Sequence, residues 1–505
     1  MRQSIGLFIV PGVFDQVGFS SSVKGLIVRF EGARTSRPFV LLDCHDQSIR
    51  ASGRLLIETG DTLKLLQDDG TPLVQCCGGK HRFVLDLPEG PVRAALVDFP
   101  KLRALMNMGS GTIETGTFAV LDDLQKTQVR GSVVSLSTTD GQVTLLTAHR
   151  MRGYDRAFEA VCASLQGMAG PGGWTEQVFQ NLFPNVTPYV AKPEVSLSLN
   201  EPSIQVATDI IRTFLSVARQ NEAGVIADID TEFLHDYRVS LRRIRSVLSL
   251  FKGVFSEDQT AALKREFSDL MAPTGRVRDL DVYLLEKDIY LNLIPPNLHA
   301  GVEAMFTQFA KERKQALTGL SRRFRSADYA KQMGGLEAMF ADTKNLEAGP
   351  NATRGAYDYA CALIWKRYRK VCKLARRIKP DTPDEAVHEL RIDCKKLRYL
   401  MEFFAPLFDQ KDFKTLIKPL KKLQDNLGLF NDYSVQQEAL LGFVAGQSDK
   451  QDRANAQLAM AIGGLVAVLD QRQKAERDRV IANFRHFDSP DIQHLFRSMY
   501  HRKGD

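Results

Sequence analysis

No apolar run of the ~20 residues needed to cross a bilayer occurs in this 505-residue chain. The opening MRQSIGLFIVPGVFDQVGF has a short apolar stretch, but Pro11 and Asp15 interrupt it, which makes a poor signal peptide. A soluble, cytoplasmic chain with no membrane partner is expected. Cysteine is also uninformative as chemistry. The seven residues (44, 76, 77, 162, 361, 372, 394) form no C-x-x-C pair, and adjacent Cys76 and Cys77 suit neither a zinc knuckle nor an easy disulfide. Reduced thiols are expected, with Cys361, Cys372 and Cys394 as small apolar packers. No G-x-x-x-x-G-K-(S/T) or G-x-G-x-x-G loop is present, which argues against nucleotide motors and dinucleotide enzymes. His299, His486, His494 and His501 show no metal-ligand spacing.

Charge, by contrast, is unevenly placed. The chain has 67 Lys+Arg and 60 Asp+Glu, for a net charge of +7; residues 1–200 hold 19 of each, so 201–505 hold 48 basic and 41 acidic residues. The whole excess therefore lies in the C-terminal part, which predicts an acidic ligand there: nucleic acid, polyphosphate or anionic lipid.

That part contains one stretch twice. HDYRVSLRRIRSVLSLFKGVF begins at His235 and HELRIDCKKLRYLMEFFAPLF at His388, an ungapped offset of 153 residues. His235 falls on His388, Arg238 on Arg391, Arg242 on Lys395, Arg243 on Lys396, Arg245 on Arg398, Phe251 on Phe404 and Phe255 on Phe408. Arg265 falls on Lys418, Gly275 on Gly428 and Asp279 on Asp432. A fixed offset that keeps charged and apolar positions alike marks an internal duplication. At 100° per residue, Arg238, Arg242 and Arg245 lie within roughly 80° of His235 on one side, and Arg243 about 80° away on the other. Leu241, Ile244, Val247, Leu248, Phe251 and Phe255 form the opposite face; Cys394, Leu397, Leu400, Met401, Phe404 and Phe408 do so in the second copy. One face packs. The other gathers like charges that repel by roughly a few tenths of a kcal/mol per neighbouring pair, which points to an anionic partner held from two sides.

Residues 1–150 read as β-rich. Strand-like runs are Val23–Phe30, Phe39–Asp43, Arg54–Glu58, Thr62–Leu66, His81–Leu87, Gly116–Val120, Gln128–Leu136 and Gln142–Thr147, closed by a helix at Gly153–Leu165. The expected boundaries are a β-rich domain at 1–166, a Pro/Gly-rich linker at 167–200 and a helical domain at 201–505, with half-repeats at about 203–345 and 355–500. In the helical part the pattern predicts a loop at GRVRDLD and a break or kink near Pro419.

The H-x-x-R-x-x-x-(R/K)-(R/K)-x-R helix in both halves, with G-x-x-R-D-x-D-V at 275–282 and L-G-x-x-N-D at 427–432, resembles the CHAD family, the conserved histidine α-helical domain. The resemblance implies two pseudo-symmetric four-helix bundles whose basic faces bind inorganic polyphosphate, and association with polyphosphate granules. The binding residues carried over are His235, Arg238, Arg242, Arg243 and Arg245, then His388, Arg391, Lys395, Lys396 and Arg398, with Lys264, Arg265, Lys418, Lys421 and Lys422 on the following helices. Asp279 and Asp432 are expected to fix basic side chains or cap helices. Lys395 and Lys396 replace arginines, which substitutes point charges for bidentate forks.

Residues 41–66 and 145–165 resemble the CYTH family, a β-tunnel that hydrolyses triphosphates with metal, and so imply an antiparallel barrel- or tunnel-like α+β domain. The family's opening Glu-x-Glu-x-Lys is missing: Glu31 is followed by Ala33 where the second Glu should stand. A degenerate, non-catalytic tunnel with no metal and no cofactor is therefore expected. Two other readings are a nucleic-acid backbone binder, weakened because Tyr399 is the sole aromatic near the basic face, and a triphosphatase in the N-terminal part. Leu234-His235-Asp236 looks like a metal-dependent phosphohydrolase pair, but Glu389 replaces Asp236 in the second copy and further ligands are lacking.

Overall fold

The computed structural model describes residues 5–23, 25–68, 71–79, 81–170, 173–379, 382–446 and 453–502. The chain divides into two compact units, Met1–Ala191 and Lys192–Asp505.

The first unit is built on one eight-stranded antiparallel sheet that forms a half-barrel. Its elements are β1 (Ile5–Pro11), α1 (Gln16–Ser22), β2 (Ile27–Asp43), α2 (Ser48–Ala51), β3 (Leu55–Thr59), β4 (Thr62–Leu66), β5 (Leu73–Cys76), α3 (Pro91–Ala95), β6 (Met106–Leu121), β7 (Thr127–Ser137), β8 (Gln142–Arg150), α4 (Asp155–Met168) and α5 (Trp174–Leu182). The strand order is β1-β8-β7-β6-β2-β3-β4-β5. Alternation sends successive residues to opposite faces. Ile9, Ile113, Val143 and Leu145 pack with Val178, Phe179 and Leu182 of α5. Val10, Phe118, Leu146 and Ala148 pack on the other side with Ala157, Val161 and Leu165 of α4.

Several local expectations are corrected here. Of the run at Val23–Phe30, only Ile27–Phe30 is strand, Val23 capping α1 instead; it joins Phe39–Asp43 in the single strand β2, because β6 is long enough to pair with it across an irregularity between Glu31 and Thr35. His81–Leu87 is no strand. Asp86 accepts from the Arg82 and Phe83 amides and folds Val84–Asp86 into a 3-10 turn. The segment read as a linker carries α5, whose apolar side belongs to this unit's core.

The second unit is all-helical: α6 (Ser203–Ile226), α7 (Thr231–Leu250), α8 (Glu257–Met271), α9 (Gly275–Leu285), α10 (Lys287–Asn292), α11 (His299–Phe324), α12 (Ala327–Met339), α13 (Ala356–Ala375), α14 (Asp384–Phe404), α15 (Gln410–Ala445), α16 (Arg453–Phe487) and α17 (Pro490–Tyr500). GRVRDLD is helical rather than a loop, since Val277, Leu280 and Tyr283 bury one side of α9. Pro419 does not break α15. It lacks the N–H that would bond one turn back, a cost of about 3 kcal/mol. The buried stripe Phe413, Leu416, Leu420, Leu423, Leu427 and Phe430 runs through it and offsets that loss. Between the halves, Leu280, Tyr283, Phe306 and Phe309 share a core with Leu440, Ile462 and Leu465.

Candidate anion site on the duplicated helices

The two basic helices, α7 and α14, are set by caps and by their apolar faces. Asp230 caps α7, its carboxylate accepting from the Glu232 amide at 2.9 Å and the Phe233 amide at 3.3 Å. Leu241, Ile244, Val247 and Leu248 are buried, as are Cys394, Leu397, Leu400 and Met401 on α14. Gly224 lets α6 approach α7: a Cβ there would lie 2.1 Å from the Phe233 ring. The halves then meet through equivalent residues. Phe251 and Phe404 stack with ring centroids 4.8 Å apart and planes 11° from parallel. Pro202 and Gly355, also 153 apart, form an antiparallel bridge. A residue can touch its own repeat equivalent only near a twofold axis, so both pairs mark a pseudo-twofold between the halves.

The same relation joins the charges. Lys395 of the second half is repelled by Arg242, its equivalent in the first, as well as by Arg391 and Arg398. Burial first, then these cations, push its ammonium down to about 8. His235 is pushed down to about 4, by burial first and then by Arg278, Arg242 and Lys192, with Asp236 opposing. Arg238 is lowered by burial and by Arg242, with Asp279 opposing. Three donors among these groups, Arg238 Nε, Arg278 Nη1 and Arg398 Nε, are buried N–H groups with no hydrogen-bond partner. Charge that lowers its own proton affinity and donors left unmet are what a bound anion would relieve.

Not all of the sequence-derived residues join this cluster. His235, Arg238 and Arg242 come together with Arg391, Lys395 and Arg398. His388 is exposed, its Nδ1 2.7 Å from Asn431 Oδ1. Arg391 lies 3.6 Å from Asp432. Arg243 turns elsewhere: it pairs with Glu402 at 3.2 Å and lies over the Phe214 ring at 4.9 Å. Arg245 donates to Met271 Sδ at 3.3 Å. Lys396 is half-buried and forms no ion pair among the described residues. On α8, Lys264 is lowered by burial and by Lys252, and Arg265 is exposed. Lys418 and Lys422 line a cleft of about 990 Å³ with His486 and Ile492. Lys421 lines a neighbouring one of about 520 Å³ with Lys418 and Lys422. These clefts share no lining residue with the α7–α14 cluster.

Arg278, which acts on His235 in this cluster, is not among the residues carried over from the motif. It sits inside the G-x-x-R-D-x-D-V motif, and its repeat equivalent is Asn431, the partner of His388. The signal was therefore present in the spacing.

Among the described residues no group of three His, Cys, Asp or Glu side chains could hold a metal ion. No helix among them is long and apolar enough to cross a membrane. In the first unit Glu31 is exposed and both faces of the sheet are occupied by apolar clusters.

These features describe a duplicated all-helical unit in which cations from both halves come together. Residues 209–441 match the family model of the CHAD domain. It is similar to the crystal structure of the CHAD domain from the plant Ricinus communis, with 27% identity and a TM-score of 0.49, over 59% of this chain and 96% of that one. PptA from Streptomyces chartreusis overlaps 56% of this chain and 100% of its own at 15% identity and a TM-score of 0.44. Uncharacterized proteins from two strains of Mycobacterium tuberculosis are 29% identical over 174 residues. The match spans about a third of the length of those relatives, and 33% of this chain.

Proposed function

We propose that the α7–α14 cluster binds inorganic polyphosphate and that this binding directs the protein to polyphosphate granules. The observation that carries the reading is the convergence of Arg242 and Lys395 across the pseudo-twofold, where burial first and then the repulsion of Arg242, Arg391 and Arg398 lower Lys395 to about 8. A chain of phosphates carrying about one negative charge each would neutralise both rows at once, releasing counterions as nucleic-acid backbones do. Arg238, Arg242, Arg391 and Arg398 supply forks that hold phosphate oxygens in pairs, and Lys395 adds a point charge. His235, held neutral, supplies a hydrogen bond rather than a charge.

The test is binding of long-chain polyphosphate to the full chain at a series of salt concentrations. The comparison is a variant with Arg238, Arg242, Arg391 and Arg398 all changed to Ala. The expected result is tight binding that weakens steeply with salt, and a variant whose slope of log K against log salt is shallower by about 3, at roughly 0.7–0.9 per lost contact. A folded variant that binds with the wild-type slope would overturn the assignment.

A further inference from the structure

Helix α13 carries a second basic surface, which the duplication does not explain. Lys366, Arg369 and Lys373 recur at i, i+3 and i+7 along α13 and so form one stripe, and Arg377, in the turn just past the helix end, extends it along the same cleft. They line a cleft of about 1200 Å³ between α13 and α17, where Arg497 adds a fifth cation. Other cations nearby are already neutralised. Lys370 lies 2.7 Å from Asp393, and Arg376 holds Asp488 with two bonds of 2.9 Å. The four stripe residues form no ion pair among the described residues. Their repeat equivalents on α6 are Thr213, Ser216, Gln220 and Gly224, all uncharged, so the stripe belongs to the second half alone.

This cleft also has an aromatic wall with an indole in it, whereas at the α7–α14 cluster the Tyr399 ring is covered by Lys395 and Arg398, each 5.7 Å from its centroid. Trp365 is half-buried in it, its ring 5.1 Å from His501 and 5.7 Å from Tyr368. Tyr368 is itself buried and stacked on Phe496 at 3.9 Å, so the wall is rigidly backed. A bare phosphate chain has no group that could use an indole face. A single-stranded nucleic acid has both parts of the complement, a backbone for the stripe and bases for the ring.

We infer that the α13–α17 cleft binds a single-stranded nucleic acid, with the backbone along the cationic stripe and a base against Trp365, RNA serving as the probe. The inference does not rest on polyphosphate binding at α7 and α14, and the two can fail separately. The experiment uses the full chain and a 20-nucleotide oligouridylate. The chain has two tryptophans, so a Trp174→Phe background leaves Trp365 as the reporter. The oligonucleotide is expected to quench Trp365 fluorescence, and long-chain polyphosphate to leave it unchanged. Trp365→Ala should weaken RNA binding about 10-fold with an unaltered salt slope, since a stacked base contributes about that factor. Changing Lys366, Arg369, Lys373 and Arg377 to Ala, with Trp365 kept, should make the slope shallower by about 3. Should Trp365→Ala fail to fold, Trp365→Phe and the four-cation variant decide the question. Absence of RNA binding would overturn the proposal. So would equal quenching by polyphosphate, or RNA binding that is lost on changing Arg242 and Lys395 but not on changing the stripe.

Discussion

The two copies of the basic helix are equivalent in sequence and unequal in charge. On α7, His235 is half-buried against Arg278 and is held neutral, whereas on α14 His388 is exposed and bonded to Asn431. On α7 the central cation is the guanidinium of Arg242. On α14 it is Lys395, lowered to about 8 by its surroundings. Arg243 is locked to Glu402 of the other half, while Lys396 forms no ion pair among the described residues. Duplication has thus preserved positions and allowed their roles to diverge. One copy holds fixed charge and the other holds charge that can adjust to a ligand.

The pseudo-twofold contact should break the comparison most severely. Phe251 and Phe404 are both buried, and each has the other as its stacking partner. Phe251→Ala or Phe404→Ala should each destabilise the second unit by about 3–5 kcal/mol, measured by urea denaturation. Because the rings touch, the double variant should cost less than the two singles added. Simple additivity would mean that the two halves are packed independently.

Next in size is the Arg243–Glu402 pair. Both side chains are largely buried: removal of Glu402 leaves Arg243 without an ion-pair partner among the described residues, while removal of Arg243 leaves Glu402 only Arg398, 3.7 Å away. A double-mutant cycle with Arg243→Ala and Glu402→Ala should give a coupling of about 1–3 kcal/mol in stability. The salt slope of polyphosphate binding should change little in Arg243→Ala. A drop in slope equal to that of Arg242→Ala would return Arg243 to the binding face.

How far the sequence led depends on the range of the interactions involved. The duplication, the helices and their two faces follow from local periodicity, and the basic faces of α7 and α14 lie where 100° steps place them. The tie between Arg243 and Glu402 spans 159 residues, and no local pattern can reveal it. A break at Pro419 and a loop at GRVRDLD are what local pattern predicts, yet buried stripes along α15 and α9 outweigh local preferences of a few kcal/mol at most. In the first unit, β2 and α5 escaped because strand length and helix docking there are set by pairing with β6 and by the sheet face, both distant in sequence.

Lys395 offers a smaller but sharper test. Its lowered proton affinity means that the unfolded chain takes up the proton first as pH falls from about 10.5 towards 8. The fold therefore bears this cost in full below pH 8 and is free of it above about 10.5. A bound polyanion restores the charge, so binding above pH 8 requires proton uptake. Polyphosphate affinity should fall by up to about tenfold per pH unit between 8 and 10. Lys395→Arg should flatten that profile while keeping affinity at pH 7. A wild-type profile that is already flat would mean that Lys395 does not face the ligand.

The least effect is expected from His235, and it separates the copies most cleanly. Its imidazole is lowered to about 4 from an ordinary 6.5, by burial and by Arg278 and Arg242. Between these values the unfolded chain binds a proton that the folded chain refuses, so stability contributed by neutral His235 is lost as pH falls from about 6.5 to 4. His235→Gln removes the titrating group and should make the second unit less sensitive to acid over that interval, as read by thermal melting from pH 7 to 4. At pH 7 the same change should alter polyphosphate affinity by less than about threefold, the loss of one hydrogen bond rather than of a charge. A change of the size seen for Arg242→Ala would mean that His235 is charged in the complex. The bound anion would then have overcome the repulsion of Arg278 and Arg242, and the first copy would share the adjustable character assigned above to the second.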